Sequence, residues 1–319
     1  MFVENLLLKK FPPPADISRV ITSWRSLDAG IELDRPFGSV DWNSDPYLRQ
    51  RARSFLTGLT AKSFWDDSNS ELFPWATKLE ENYDTIREEF ERVTKDRKGL
   101  EGKGNNVWAR AADSDSAASY GPDWKTLVLM DRTTWDPTNS LLFPATVSAL
   151  STSKVPCVEA FFAQMPGGTE IGAHTDSCNF ILTSHLALIV PENGNGKCLL
   201  RVGDTTKEWM EGRTMTFDTS VYHDARNDSR ETRYVLMLRV WHPELTDVER
   251  EALQMTFDCL DVPGLTSEDE EVRWMAERMV ESMRKVPEGV MGKGGGEGKA
   301  LTKKEIKKLR KKGGGGFGT

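Results

Sequence analysis

Cys157-Val-Glu-Ala-Phe-Phe-Ala-Gln-Met165, the turn Pro166-Gly-Gly168 and then Thr169-Glu-Ile-Gly-Ala-His-Thr175 open a change of texture in this chain. From here to Trp241 the sequence is a series of short apolar runs separated by turn residues, the pattern of a β-sandwich or barrel. Eight strands are predicted: Cys157 to Met165, Thr169 to Thr175, Ser184 to Val190, Cys198 to Gly203, Thr206 to Trp209, Thr214 to Phe217, Val221 to Arg226 and Thr232 to Trp241. Glu192-Asn-Gly-Asn-Gly196, Glu211-Gly212 and Asn227-Asp228 mark further turns. Eight strands suit a jelly-roll, the double sheet of two Greek keys that cupins also use.

The polar residues inside these strands carry the chemistry. All four histidines of the chain (His174, His185, His223, His242) fall in this window. Asp176 follows His174 by two positions, and His223 and then Arg233 come later. Alone, each has an ordinary structural reading: a hydrogen-bonding histidine, a turn aspartate, a strand-end charge. Together, two imidazoles and one carboxylate form the facial ligand set of non-haem Fe(II) oxygenases, which leaves half the coordination sphere open. A guanidinium downstream suits a bidentate contact to the carboxylate of a co-substrate. On the strand count, His174 and Asp176 end the second strand, His223 lies in the seventh and Arg233 opens the eighth. All would then meet at one mouth of the barrel.

Ile171-Gly-Ala-His-Thr-Asp176, Asn179, His185-Leu-Ala-Leu188, Trp209-Met-Glu-Gly212, Phe217-Asp-Thr-Ser220, His223, Arg233 and Trp241-His-Pro-Glu-Leu245 resemble the aspartyl/asparaginyl β-hydroxylase family. Leu79-Glu-Glu-Asn-Tyr83 and Pro144-Ala-Thr146 extend the likeness upstream, so that it covers roughly residues 73 to 254. The resemblance implies a mainly β core, a double-stranded β-helix of jelly-roll or cupin-like form, with flanking α-helices. It implies an Fe(II)- and 2-oxoglutarate-dependent dioxygenase that hydroxylates an Asp/Asn-type side chain or a related C–H substrate. His174, Asp176 and His223 are then the metal ligands, and Arg233 and His185 the co-substrate contacts. Two departures stand out. Animal members have glycine where this chain has Asp176, and bind iron through two histidines. The family's arginine two residues before His185 is Thr183 here. His242 lies beyond the last strand and is read as orienting a neighbour. The competing readings are a Zn-type cupin enzyme and a non-enzymatic cupin-like interaction module.

The rest of the chain frames this core. The 319 residues are 38% hydrophobic and 29% charged, as expected of a globular protein with polar appendages. A net charge of −7 gives no strong nucleic-acid signal. Cys157, Cys178, Cys198 and Cys259 include no CxxC pair and are read as free thiols. No run of 18 apolar residues occurs, and Leu6-Leu-Leu8 is too short for a signal peptide. The expected location is therefore soluble and cytoplasmic, or nuclear through the Lys-rich end. Leu79, Tyr83, Ile86 and Phe90 share one face of a predicted helix from Leu79 to Thr94. Further helices are predicted over Asp16 to Leu27, Pro144 to Leu150, Thr246 to Met255 and Ser267 to Lys285. The expected divisions are an extension at 1–72 covering one face of the core, the oxygenase-like domain at 73–255, a helical segment at 256–291 and a disordered Gly/Lys-rich tail at 292–319. Lys299 to Lys312 holds eight basic residues, a run suited to an anionic surface. The substrate, whether protein, peptide or small molecule, is not legible.

Overall fold

The computed structural model describes residues 2–38, 45, 47–95, 109–110, 124–191, 197–287 and 290. The tail expected at 292–319 lies outside these residues. The chain runs α1 (Phe2–Lys10), α2 (Ser18–Asp28), β1 (Leu33–Pro36), β2 (Arg49–Ala52), α3 (Ala76–Glu80), α4 (Tyr83–Thr94), β3 (Ala109–Arg110), β4 (Lys125–Asp131), β5 (Thr134–Trp135), α5 (Asn139–Leu142) and α6 (Pro144–Thr152). The core follows as β6 (Cys157–Met165), β7 (Thr169–His174), β8 (Ile181–Ile189), β9 (Cys198–Val202), β10 (Thr205–Glu208), β11 (Thr214–Phe217), β12 (His223–Asn227) and β13 (Arg233–Trp241). Helices α7 (Asp247–Asp261) and α8 (Glu270–Arg284) complete it.

Strands β6 to β13 are shared between two antiparallel sheets, with the β9–β10 hairpin kept in one of them. One sheet has the order β11-β8-β13-β6-β4-β3, and the other β10-β9-β12-β7. This is the expected jelly-roll, with β4 and β3 added at one edge. The inner faces of both sheets supply the interior, where Met165, Ile171, Leu200, Phe217 and Val235 are buried together. The outer face of the larger sheet is covered by helices through Leu79, Ile86, Phe90, Phe143, Phe162 and Leu236. Glu89, buried on α4, accepts the backbone N–H groups of Ala145 (2.9 Å) and Thr146 (2.8 Å) at the start of α6. A carboxylate there satisfies the donors that a helix N-terminus leaves open. The turn between β6 and β7 requires glycine: a Cβ on Gly167 would stand 2.4 Å from the backbone carbon of Arg230.

Three expectations need correction. The helix predicted from Leu79 to Thr94 is two helices, broken at Glu81 and Asn82. The Asn82 side chain takes the Lys78 carbonyl (2.7 Å), and its own N–H turns to Leu79 instead (3.0 Å). A side-chain amide thus replaces the backbone donor that would continue the helix. Strand β7 ends at His174, so Asp176 lies in the turn beyond it rather than in the strand. Strand β8 begins at Ile181, three positions before the predicted start at Ser184, because its whole length is buried and shows no alternation to mark an edge.

The segment before residue 73 is more regular than its composition suggests. Leu7, Ile17, Val20, Ile21, Leu56 and Leu59 pack against Phe180, Trp241, Leu245 and the α7 residues Ala252 and Leu253. The stretch from Arg49 to Leu56 then runs along two core turns. Arg51 N–H donates to the Ser220 carbonyl (2.7 Å) and Ser54 N–H to that of Ser177 (2.8 Å). The buried Asn179 side chain accepts from Leu56 N–H (2.9 Å) and donates to its carbonyl (3.0 Å). All four cysteines are free thiols. Among the described residues, no helix is long and apolar enough to cross a membrane.

Candidate functional site

Antiparallel pairing of β7 with β12 sets His174 opposite His223, with ring centroids 4.2 Å apart. Each ring is fixed by its own backbone. The Nδ1–H of His174 donates to the Gly172 carbonyl (2.8 Å), and that of His223 to the Val221 carbonyl (3.0 Å). A carbonyl only accepts, so Nδ1 of each ring carries the proton and Nε2 is the nitrogen suited to a metal. Burial, with His174 beside it, holds His223 down to about 4, so this ring is neutral at pH 7. Asp176 N–H donates to the Thr219 carbonyl (2.7 Å), bringing the turn after β7 onto the turn before β12. Ligand atoms of His174, Asp176 and His223 all lie within 4.8 Å of one another, the one such group among the described residues.

Asp176 pairs with Arg239, which sequence reasoning missed. Burial alone would push the Asp176 carboxyl up. The Arg239 guanidinium and the two imidazoles outweigh it and hold the group well below the usual carboxylate range. A signal for Arg239 was available. It stands six positions after Arg233 in one strand, an even spacing that puts both on the same face of β13. Thr183, where the family resemblance led us to expect arginine, is the cross-strand partner of Arg239. A guanidinium therefore stands on the neighbouring strand.

The same cavity is lined by Arg233, His185, Phe217, Met237, Ile171 and Leu200 as well as the histidines, Asp176 and Arg239. Arg233 is 1% exposed, and its Nε and Nη1 have no hydrogen-bond partner. Its guanidinium lies 4.0 Å from the centroid of the Trp209 ring. Burial pushes it down only to about 10, which leaves it cationic at pH 7. Trp209 also donates its indole N–H to Nδ1 of His185 (3.1 Å). Burial, with Arg233 nearby, drives the His185 ring well below its ordinary range, so it is neutral. With Nδ1 accepting, the proton sits on Nε2, which is buried and unpartnered. An unpaired buried cation and an unpaired buried donor in one cavity are costly unless an anion meets them. His242 stands apart: its Nε2 bonds the Thr60 carbonyl (3.1 Å) and its Nδ1 accepts from Glu244 N–H (3.2 Å).

Residues 80–243 match the family model for aspartyl/asparaginyl β-hydroxylase. The chain belongs to that family. The aspartyl/asparaginyl β-hydroxylase of Homo sapiens is 28% identical over 216 residues, covering 64% of this chain and 26% of its own length. The ornithine lipid ester-linked acyl 2-hydroxylase of Rhizobium tropici is 32% identical over 167 residues, covering 52% of this chain and 57% of its own. The human aspartate β-hydroxylase domain-containing protein 2 is 30% identical over 188 residues, covering 56% and 47%. This member of the β-hydroxylase family thus matches about a quarter of the length of the first relative and about half of the other two. The match to the family model begins at residue 80, after the Arg49 to Leu56 stretch that borders the site.

Proposed function

We propose that the protein is an Fe(II)- and 2-oxoglutarate-dependent oxygenase that hydroxylates a C–H bond. The supporting observation is the adjacency of two features in one cavity: the His174–Asp176–His223 group and the unpaired, buried Arg233. Two imidazoles and a carboxylate fit iron, and leave positions open for other ligands. The unpartnered nitrogens of Arg233 and His185, in the cavity that His174, Asp176 and His223 also line, fit a carboxylate. Iron and 2-oxoglutarate, when bound, supply oxygen activation, with the co-substrate becoming succinate and CO2 as substrate C–H becomes C–OH.

The chain's own residues supply the rest. His174, Asp176 and His223 hold the metal. Arg233 gives a charge-assisted fork to the co-substrate carboxylate, and the neutral His185 adds one N–H. Trp209 fixes the His185 tautomer with its N–H and lies against the Arg233 guanidinium with its ring. Ile171, Leu200, Phe217 and Met237 keep the cavity apolar between these polar points, which strengthens the ionic contacts and limits water. A Zn-type cupin would have no use for a desolvated arginine lining the same cavity as the metal group. Relatives whose names specify aspartyl/asparaginyl side chains and a lipid acyl chain leave the substrate class open between the two.

The test is succinate formation from 2-oxoglutarate, followed by NMR in air with Fe(II) added to folded, metal-free protein. Slow Fe(II)-dependent turnover without substrate is expected. Its complete absence would count against the enzyme reading.

A further inference from the structure

We infer that Arg239 is a positioning residue for the metal centre, holding the Asp176 carboxylate through a buried ion pair. This deepens the proposed function and rests on the metal centre proposed there. The pair is enclosed: the Asp176 and Arg239 side chains are 13% and 14% exposed. The bond uses Oδ2 of Asp176 and Nη1 of Arg239.

The need for such a device follows from where Asp176 lies. The histidines sit in paired strands, where the ladder fixes their backbones. Asp176 sits in the turn beyond β7, anchored through its N–H to Thr219. Arg239 comes from β13, the central strand of the larger sheet, hydrogen-bonded on both sides to β6 and β8. A side chain from a strand paired on both sides therefore restrains one from an irregular turn. The guanidinium would orient the carboxylate toward a metal and offsets its charge beside the two histidines. Partners that orient a metal ligand in this way change metal affinity about tenfold to a hundredfold when removed.

The experiment titrates metal-free protein with Mn(II) under argon and reads free Mn(II) by its electron paramagnetic resonance signal. Arg239→Leu is expected to weaken binding about tenfold to a hundredfold. Arg239→Lys, which keeps the charge, is expected to recover most of it. Both substitutions should have no further effect when Asp176 is already alanine, because Arg239 acts through that carboxylate. Thermal melting of the metal-free proteins checks that each folds. If Arg239→Leu does not melt cooperatively, Arg239→Gln takes its place with the same expectation. Wild-type affinity in the Arg239 variant, or an equal loss with Asp176 present and absent, would overturn the inference. His223→Ala separates the two levels. If it too binds Mn(II) like wild type, the metal centre itself is wrong. If it fails to bind while Arg239→Leu binds normally, only the role of Arg239 falls.

Discussion

The indole N–H of Trp209 donates to Nδ1 of His185 at 3.1 Å, and that single bond decides which nitrogen His185 turns into the cavity. Without it, the neutral ring is free to exchange tautomers and present a lone pair where the cavity needs a donor. Trp209→Phe keeps a ring near Arg233 but removes the N–H. It should raise the apparent KM for 2-oxoglutarate by about threefold to tenfold, the worth of one net hydrogen bond of about 1 kcal/mol. Nitrogen-15 NMR of His185 should show loss of the fixed tautomer. An unchanged KM with an unchanged tautomer would remove Trp209 from the site.

Arg233→Gln keeps polarity and approximate length but loses the charged fork. Hydrogen bonds to charged groups are worth roughly 1.5–3 kcal/mol, so affinity for 2-oxoglutarate should fall by about one to two decades. Metal retention, measured by equilibrium dialysis, should stay near wild type, since Arg233 does not belong to the ligand group. Normal 2-oxoglutarate affinity in this variant would end the co-substrate assignment.

For Asp176, two substitutions separate ligation from turn geometry. Asp176→Ala and Asp176→Gly should both weaken Fe(II) retention and lower succinate formation steeply, because each removes an anionic ligand, and His223→Ala should do the same by removing a neutral one. All variants are to be compared at one pH, since ligand protonation also alters metal binding. Wild-type values for both Asp176 variants, beside a dead His223→Ala, would leave a centre of two histidines.

Asp218 gives a pH dependence of stability whose sign is fixed. Burial pushes its carboxyl from 3.8 up to about 6, against the opposing bonds from Ser220. A folded-state value above the unfolded one means that the contribution is fully present below about pH 4. It is lost as pH rises through about 6. At about 1.4 kcal/mol per unit, the loss across that window is about 3 kcal/mol. Asp218→Asn still offers Ser220 N–H an acceptor and does not titrate. Urea denaturation at pH 4, 5, 6 and 7 should therefore show a shallower fall in the variant. Parallel curves would show that Asp218 titrates normally.

Much of this was legible where turn residues bracket a short apolar run. Cys157–Met165 and Thr214–Phe217 were bounded correctly from sequence, and His174, Asp176, His223 and Arg233 line one cavity. What escaped the sequence depends on separation along the chain. Nothing near Arg239 identifies Asp176 as its partner, 63 positions away. Gln50 lies in a charged, arginine-rich run that reads as surface, yet it is buried and its amide donates to the Ser220 hydroxyl at 2.8 Å. Tertiary pairing overrode local composition in both cases.

That last contact joins residues 170 positions apart, and Arg19 reaches Glu249 across 230. Such long closures set the order in which a growing chain can finish the site. When a ribosome has released the chain only through β7, His174 is present but its partner strand has not been made. The Arg49 to Leu56 stretch, synthesised first, must wait for the turn at Ser220 before it can pair. Loop closure over these distances comes late in folding, after local contacts have formed. The pairing of His174 with His223 thus cannot form before β12, and with it most of the core strands, has been made.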